Sequence, residues 1–207
     1  MKNYTEIVTI LDMSGSMGSI RNDAFGTINT FITQQKALPD EANLTLILFN
    51  DKAKTICEYQ DIHRTNLLTE DQYRPTGSTA LLDAMGEAID SLGNRLNKMK
   101  EKDRPNKVLF VIYTDGEENS STKYSHSQLK EMIERQQNTY SWEFLYFGAN
   151  QDAFAVSKDY GFKASNTMSY TADSQGVLYS MNNLSATVSN YRTTGSSVIV
   201  DTEVSNA

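Results

Sequence analysis

The sequence predicts an α/β fold: a doubly wound, mostly parallel central sheet with one antiparallel edge strand and helices on both faces. Three observations carry this. The strongest apolar runs are nearly continuous rather than alternating, as strands buried on both faces are. Segments with helical spacing separate them, which implies right-handed crossovers between parallel strands. One pair of strand-like segments is joined by Asn50-Asp51, a hairpin signal that makes the second an antiparallel edge.

Taken in order, residues 6–11 form the first buried strand, and Ile20, Ala24, Ile28, Phe31 and Ile32 recur at helix spacing after it. Residues 44–49 ("LTLILF") form the next strand and 53–59 the edge strand. Residues 60–76 are polar and form a rim or a lid. Leu81, Met85, Ala88, Ile89, Leu92, Leu96 and Met99 then mark the most regular helix. Residues 108–113 and 142–147 are further buried strands, flanking a helix marked by Leu129 and Ile133. A short helix is expected at 153–160. Val177, Met181, Leu184, Val188 and Tyr191 give the last helix a single apolar stripe, suited to packing rather than to a coiled coil. One domain spans 1–193, and 194–207 is a tail or carries a short added strand at 197–200.

A chain of 207 residues with 22% charged residues and 3 prolines is globular in composition. A net charge of −7 argues against general nucleic-acid or anionic-membrane binding. Cys57 is the single cysteine, expected to be inert on its edge strand, so an intrachain disulfide and a cysteine metal cluster are both excluded. His63 and His126 read as surface residues. The start "MKNYTE" has no apolar leader and no run reaches membrane-spanning length, so the expectation is a cytoplasmic protein without membrane insertion, with export or a phage particle left open.

The functional signal is "EIVTILDMSGSM", where a core strand runs straight into Asp12, Ser14 and Ser16. In a doubly wound sheet ligands bind beyond the carboxyl ends of the strands, where strand order reverses. In a 3-2-1-4-5-6 sheet Asp12 and Asp115 of "TDG" flank that point. Two facing carboxylates repel unless a cation joins them. With the hydroxyls of Ser14, Ser16 and Thr79, every donor is a hard oxygen, which suits Mg²⁺ or Mn²⁺. Only two of the five oxygens are charged. If one aspartate acts through water, about one unit of positive charge remains on the ion, an invitation to an outside carboxylate.

These residues resemble the metal-ion-dependent adhesion site (MIDAS) of the von Willebrand factor type A (VWA) domains, and the likeness in order and spacing runs over roughly residues 4 to 190. The resemblance implies a Rossmann-like VWA fold in which Ser14, Ser16 and Thr79 are hydroxyl ligands and Asp12 and Asp115 carboxylate ligands, often through water. It implies a metal, usually Mg²⁺, whose shell is completed by an Asp or Glu of a protein partner. The chain looks most like stand-alone members from bacteria and their viruses. Others of the family work beside AAA+ ATPases, so such an ATPase is a candidate partner, although "GSMGSIR" is no phosphate loop.

Two other functions compete. One is a structural subunit of a larger complex or phage particle, with a purely structural metal. The other is a metal-dependent hydrolase with Asp12 as nucleophile, which Ser14 argues against because related aspartyl enzymes want a second aspartate there. Simpler roles also exist residue by residue: "DMSGS" as a turn with a helix cap, Thr79 as an N-cap, Asn150 and Asp152 as a turn and N-cap. Glu117 and Glu118 are either an acidic rim for a basic partner surface or plain solvated loop charges.

Overall fold

The structure, a computed structural model, describes residues 2–149 and 152–202. Six strands form one sheet in the order β3-β2-β1-β4-β5-β6. They are β1 (Lys2–Asp12), β2 (Ala42–Phe49), β3 (Ala53–Asp61), β4 (Pro105–Thr114), β5 (Glu143–Ala149) and β6 (Thr167–Tyr170). All neighbours are parallel except β2 and β3, whose hairpin turns at Asn50–Lys52. Strand order reverses between β1 and β4, so their carboxyl ends bound the crevice.

The helices are α1 (Arg21–Lys36), α2 (Leu81–Lys98), α3 (His126–Tyr140), α4 (Ala153–Asp159) and α5 (Ser174–Thr194). Side-chain alternation along β1 divides the core between the two faces. Ile7 and Leu11 pack with the apolar stripes of α1 and α5, while Val8 and Ile10 pack with α2, α3 and α4. The α2 stripe read from the sequence is buried along its length from Leu81 to Leu96, and the α5 stripe from Val177 to Tyr191. The latter is a packing face, as its spacing implies. Among the described residues no helix is long and apolar enough to cross a membrane.

Four features differ from the sequence reading. The segment after the first motif is a 3-10 turn (Gly15–Ile20), and α1 proper begins at Arg21. Strand β6 has no sequence signal, because Thr-Met-Ser-Tyr is short and only its two ends are buried. Residues 197–200 form no strand; they are irregular, and the Ile199 N–H donates to the Ser165 carbonyl at 3.0 Å. Segment 60–76 is a packed rim, since Ile62, Leu68 and Tyr73 are core residues and Asn29 grips both the N–H and the carbonyl of Leu68. Asp152 caps α4 by accepting from the Ala155 N–H, while Asn150 lies outside the described residues.

Candidate metal centre

Asp12 is the last residue of β1 and is fully buried. Neighbouring strand β4 sets Tyr113 opposite Leu11, so Thr114 falls beside Asp12. Its hydroxyl donates to Asp12 Oδ2 at 2.5 Å, while the Ser14 N–H donates to Oδ1 at 2.7 Å. The second bond is the turn expected of an Asp-x-Ser sequence, and it leaves the serine hydroxyls unspent on capping: the 3-10 turn has no side-chain cap. Ser14 Oγ lies 3.0 Å from Ser16 Oγ, which donates to Asp115 Oδ1 at 2.6 Å. Asp12, Ser14, Ser16 and Asp115 are thus linked through Thr114 and through short contacts, with 102 positions separating Asp12 from Thr114.

Thr79 enters from the loop before α2. It does not cap that helix, whose N-cap is Ala80. Capping falls instead to residues after β4: Glu118 accepts from the Leu82 N–H at 3.0 Å and Ser121 Oγ from the Asp83 N–H at 3.1 Å. The Thr79 backbone is clamped on both sides by Asn119, at 2.9 and 3.1 Å. Its hydroxyl, on a residue 3% exposed, makes no hydrogen bond among the described residues. The oxygen itself is not sealed from solvent, so it opens on the crevice as a donor that the chain's own hydrogen bonds leave unused.

Convergence is measured at Gly116. A β-carbon built there would lie 3.1 Å from Thr79 Oγ1, 3.3 Å from Ser16 Oγ and 3.7 Å from Asp12 Oδ2. Three oxygens, two from the segment that ends β1 and one from the loop before α2, therefore crowd one small space beside Gly116, where a side chain would press on them. The loops are tied to one another by backbone bonds, Gly15 N–H to the Gly77 carbonyl at 3.0 Å and Thr76 N–H to the Met13 carbonyl at 3.0 Å. Gly77 takes φ +80°, and Asp51 lies against it, accepting from the Ser78 N–H at 2.7 Å. A side chain at Gly77 would be strained twice, by backbone conformation and by a 2.5 Å clash with Asp51.

Burial pushes the Asp12 carboxyl up to about 6, against the pull of its Thr114 and Ser14 hydrogen bonds and with a further push from Asp115. Asp115 is raised too, again by burial first. Two desolvated carboxylates sharing one crevice with the hydroxyls of Ser14, Ser16 and Thr79 form an all-oxygen donor set that fits a hard divalent cation. All five residues singled out in the sequence lie in this one constellation.

Sequence comparison agrees with the architecture. The von Willebrand factor type A domain profile matches residues 6–184. The chain belongs to the VWA domain family. Solved VWA-like structures carry the same fold at low identity. One is proximal thread matrix protein 1 from the mussel byssus, with a zinc-occupied MIDAS motif; it is 14% identical with a TM-score of 0.58, over 88% of this chain and 45% of that one. Another is the von Willebrand factor type A protein of Catenulispora acidiphila, 16% identical with a TM-score of 0.56, over 90% and 42%. A third is the manganese-loaded TRAP protein of Plasmodium vivax, 15% identical with a TM-score of 0.55, over 86% and 73%. This VWA chain spans less than half the length of the first two. No curated protein matches the sequence.

Sequence reading missed three supports of the VWA site. Thr114 anchors Asp12, and "YTDG" held it in plain view beside Asp115. Tyr73, wholly buried, donates its hydroxyl to the Asp12 carbonyl at 2.9 Å. Arg21 holds Tyr73 in turn, through Nε to the Tyr73 carbonyl at 3.1 Å. Neither Tyr73 nor Arg21 has a local signal, because both act through contacts distant in sequence. Glu118 is also more than a solvated charge: it accepts from the N–H groups of Ser120, Ser121 and Leu82 and from Ser121 Oγ. His63 and His126 are exposed, as expected. Cys57 is half-buried on β3, and burial raises its thiol, which suits an inert residue.

Proposed function

We propose that this VWA domain is a metal-dependent protein-binding module. Asp12, Ser14, Ser16, Thr79 and Asp115 hold a divalent cation, Mg²⁺ or Mn²⁺, and an Asp or Glu of a protein partner completes its shell. The observation that carries this reading is the unspent Thr79 hydroxyl facing the same small space as Ser16 and Asp12. The zinc-occupied MIDAS motif of the mussel protein and the manganese of the Plasmodium protein support a divalent cation in this fold.

The cation supplies positive charge that neither protein chain offers, and open positions that accept an oxygen anion. The chain's residues orient it. Thr114 and the Ser14 N–H fix the Asp12 carboxylate, and Asn119 fixes the Thr79 backbone. No reaction is assigned: both Asp12 oxygens already accept hydrogen bonds, which suits a ligand held still better than an attacking nucleophile.

The test is calorimetric titration of Mg²⁺ and Mn²⁺ into the chelated protein, followed by partner capture with and without EDTA. Wild type is expected to bind one ion, and Asp12→Ala to lose it with the far-UV spectrum unchanged. Partner capture of equal strength in excess EDTA would reject the reading.

A further inference from the structure

Gly116 also lines a second cavity, of about 190 Å³, walled by Glu117, Glu118, Asp159, His126 and Tyr160. This is below the roughly 300–1,000 Å³ of small-molecule clefts, a size for one side chain. Its walls are acidic, and two of the acids are unspent. Glu118 has both oxygens occupied, Oε2 by the Leu82 N–H of α2 and the Ser121 hydroxyl, Oε1 by the N–H groups of Ser120 and Ser121 in its own loop. Glu117 and Asp159 are exposed and take neither a hydrogen bond nor an ion pair among the described residues.

An independent observation comes from Tyr160. It is 2% exposed, its ring stacks on His126 at 5.1 Å between centroids, and its hydroxyl makes no hydrogen bond among the described residues. Burial, then the charges of Glu118, Asp159 and Glu117, push this phenol well above its ordinary value. The hydroxyl is therefore within the field of the carboxylates that line the cavity, an acceptor waiting for a donor.

We propose that this cavity receives the ammonium or guanidinium group of a Lys or Arg that the partner carries close to its metal-seeking carboxylate. The inference rests on the metal-dependent reading above and adds the second half of the recognition element. Glu117, Asp159 and the Tyr160 hydroxyl offer three acceptors, matching the three donors of an ammonium group or part of the guanidinium fork. The stacked rings of Tyr160 and His126 supply a wall of the kind that cations favour. Because the cavity and the metal centre share Gly116, an acid and a base close together on the partner would engage both and fix its orientation.

Two probes test this. N-acetyl-argininamide and N-acetyl-lysinamide carry no carboxylate, so they report the cavity without the metal. Titrated into the chelated protein, they are expected to move the backbone resonances of 116–118, 126 and 156–160 saturably. Glu117→Gln with Asp159→Asn should weaken this at least tenfold, Tyr160→Phe about fivefold, the loss of one hydrogen bond, and Asp12→Ala not at all. The second probe is a set of acetylated, amidated hexapeptides containing one Asp and either Arg or norleucine, added to the Mg²⁺-loaded protein. Arg peptides are expected to bind at least tenfold tighter than norleucine peptides, with that preference lost in the Glu117/Asp159 double variant. Absent cavity shifts beside a Mg²⁺-dependent peptide signal would overturn this inference and keep the metal reading. Cavity shifts beside EDTA-insensitive peptide binding would keep the cation cavity and overturn the metal reading.

Discussion

Asp12 carries the electrostatic cost of the centre. Its side chain is fully buried, two hydrogen bonds do not compensate its desolvation, and its pKa stands at about 6 against an ordinary 3.8. A folded-state value above the unfolded one means that the native chain binds the extra proton between those limits. Stability from this group is therefore present at acid pH and lost as pH rises through about 6. The shift corresponds to a cost on the order of 3 kcal/mol at neutral pH. Glu6 is also raised by burial, with Arg95 offsetting part of it, so Asp12 must be isolated by difference. In EDTA, Asp12→Asn should match wild type near pH 4 and exceed it in thermal midpoint by pH 7. Adding Mg²⁺ or Mn²⁺ at pH 7 should reverse the order, because the ion removes the penalty only where the carboxylate exists. A difference that stays flat from pH 4 to 7 would refute this account of the residue.

Between elements, α2 is held by the loop that leaves β4. Besides the caps from Glu118 and Ser121, Asp83 in the first turn of α2 accepts from the N–H groups of Thr122, Lys123 and Tyr124, at 2.9, 2.9 and 3.0 Å. Asp83→Ala would orphan three donors in one stroke and should cost about 1–3 kcal/mol. Hydrogen exchange should speed up first at Thr122–Tyr124, and metal affinity should fall because Asn119, which clamps Thr79, sits in the same loop. Unchanged exchange there would show that the loop is held by other contacts. This clamp explains what the sequence could and could not reveal. Strands β1, β2, β4 and β5 and the stripes of α2 and α5 were legible because continuous burial leaves an apolar record at a fixed period. Likewise the convergence of Asp12, Ser14, Ser16, Thr79 and Asp115 was legible, because their oxygen-bearing side chains follow the ends of β1 and β4 and precede α2 in the order of the VWA motif. Strand β6 was not, being an edge of four mostly polar residues, nor were the α2 caps, which come from about forty positions away. Tyr73 and Arg21 were hidden for the same reason: long-range contacts leave no periodic trace.

At the scale of the whole molecule the question is where the fold ends. The family match stops at residue 184, and the sequence alone suggests a tail or a short added strand beyond 193. The structure shows residues 197–202 closing the β5–β6 edge. Ser197 Oγ donates to Glu143 Oε2 at 2.9 Å and accepts from Asn166 Nδ2 at 3.0 Å. Asn166 is 1% exposed, and Glu143 also holds Lys163 at 2.7 Å. Farther on, the Val200 N–H donates to Thr187 Oγ1 and the Thr202 N–H to Asn183 Oδ1, both at 2.9 Å, fastening the segment to α5. Removing residues 197–207 would leave Asn166 short of a buried partner and strip the hydroxyl from Glu143, a loss of about 2–4 kcal/mol. For a chain of this size that lowers the thermal midpoint by roughly 5–15 °C. Ser197→Ala should reproduce a third to a half of the drop, since it removes the bridging hydroxyl alone. Metal affinity should survive in both variants at temperatures where they remain folded, because the segment fastens the far edge of the sheet and contacts none of the five site residues. A truncated chain that melts with wild type would place the end of the folded unit at α5 instead.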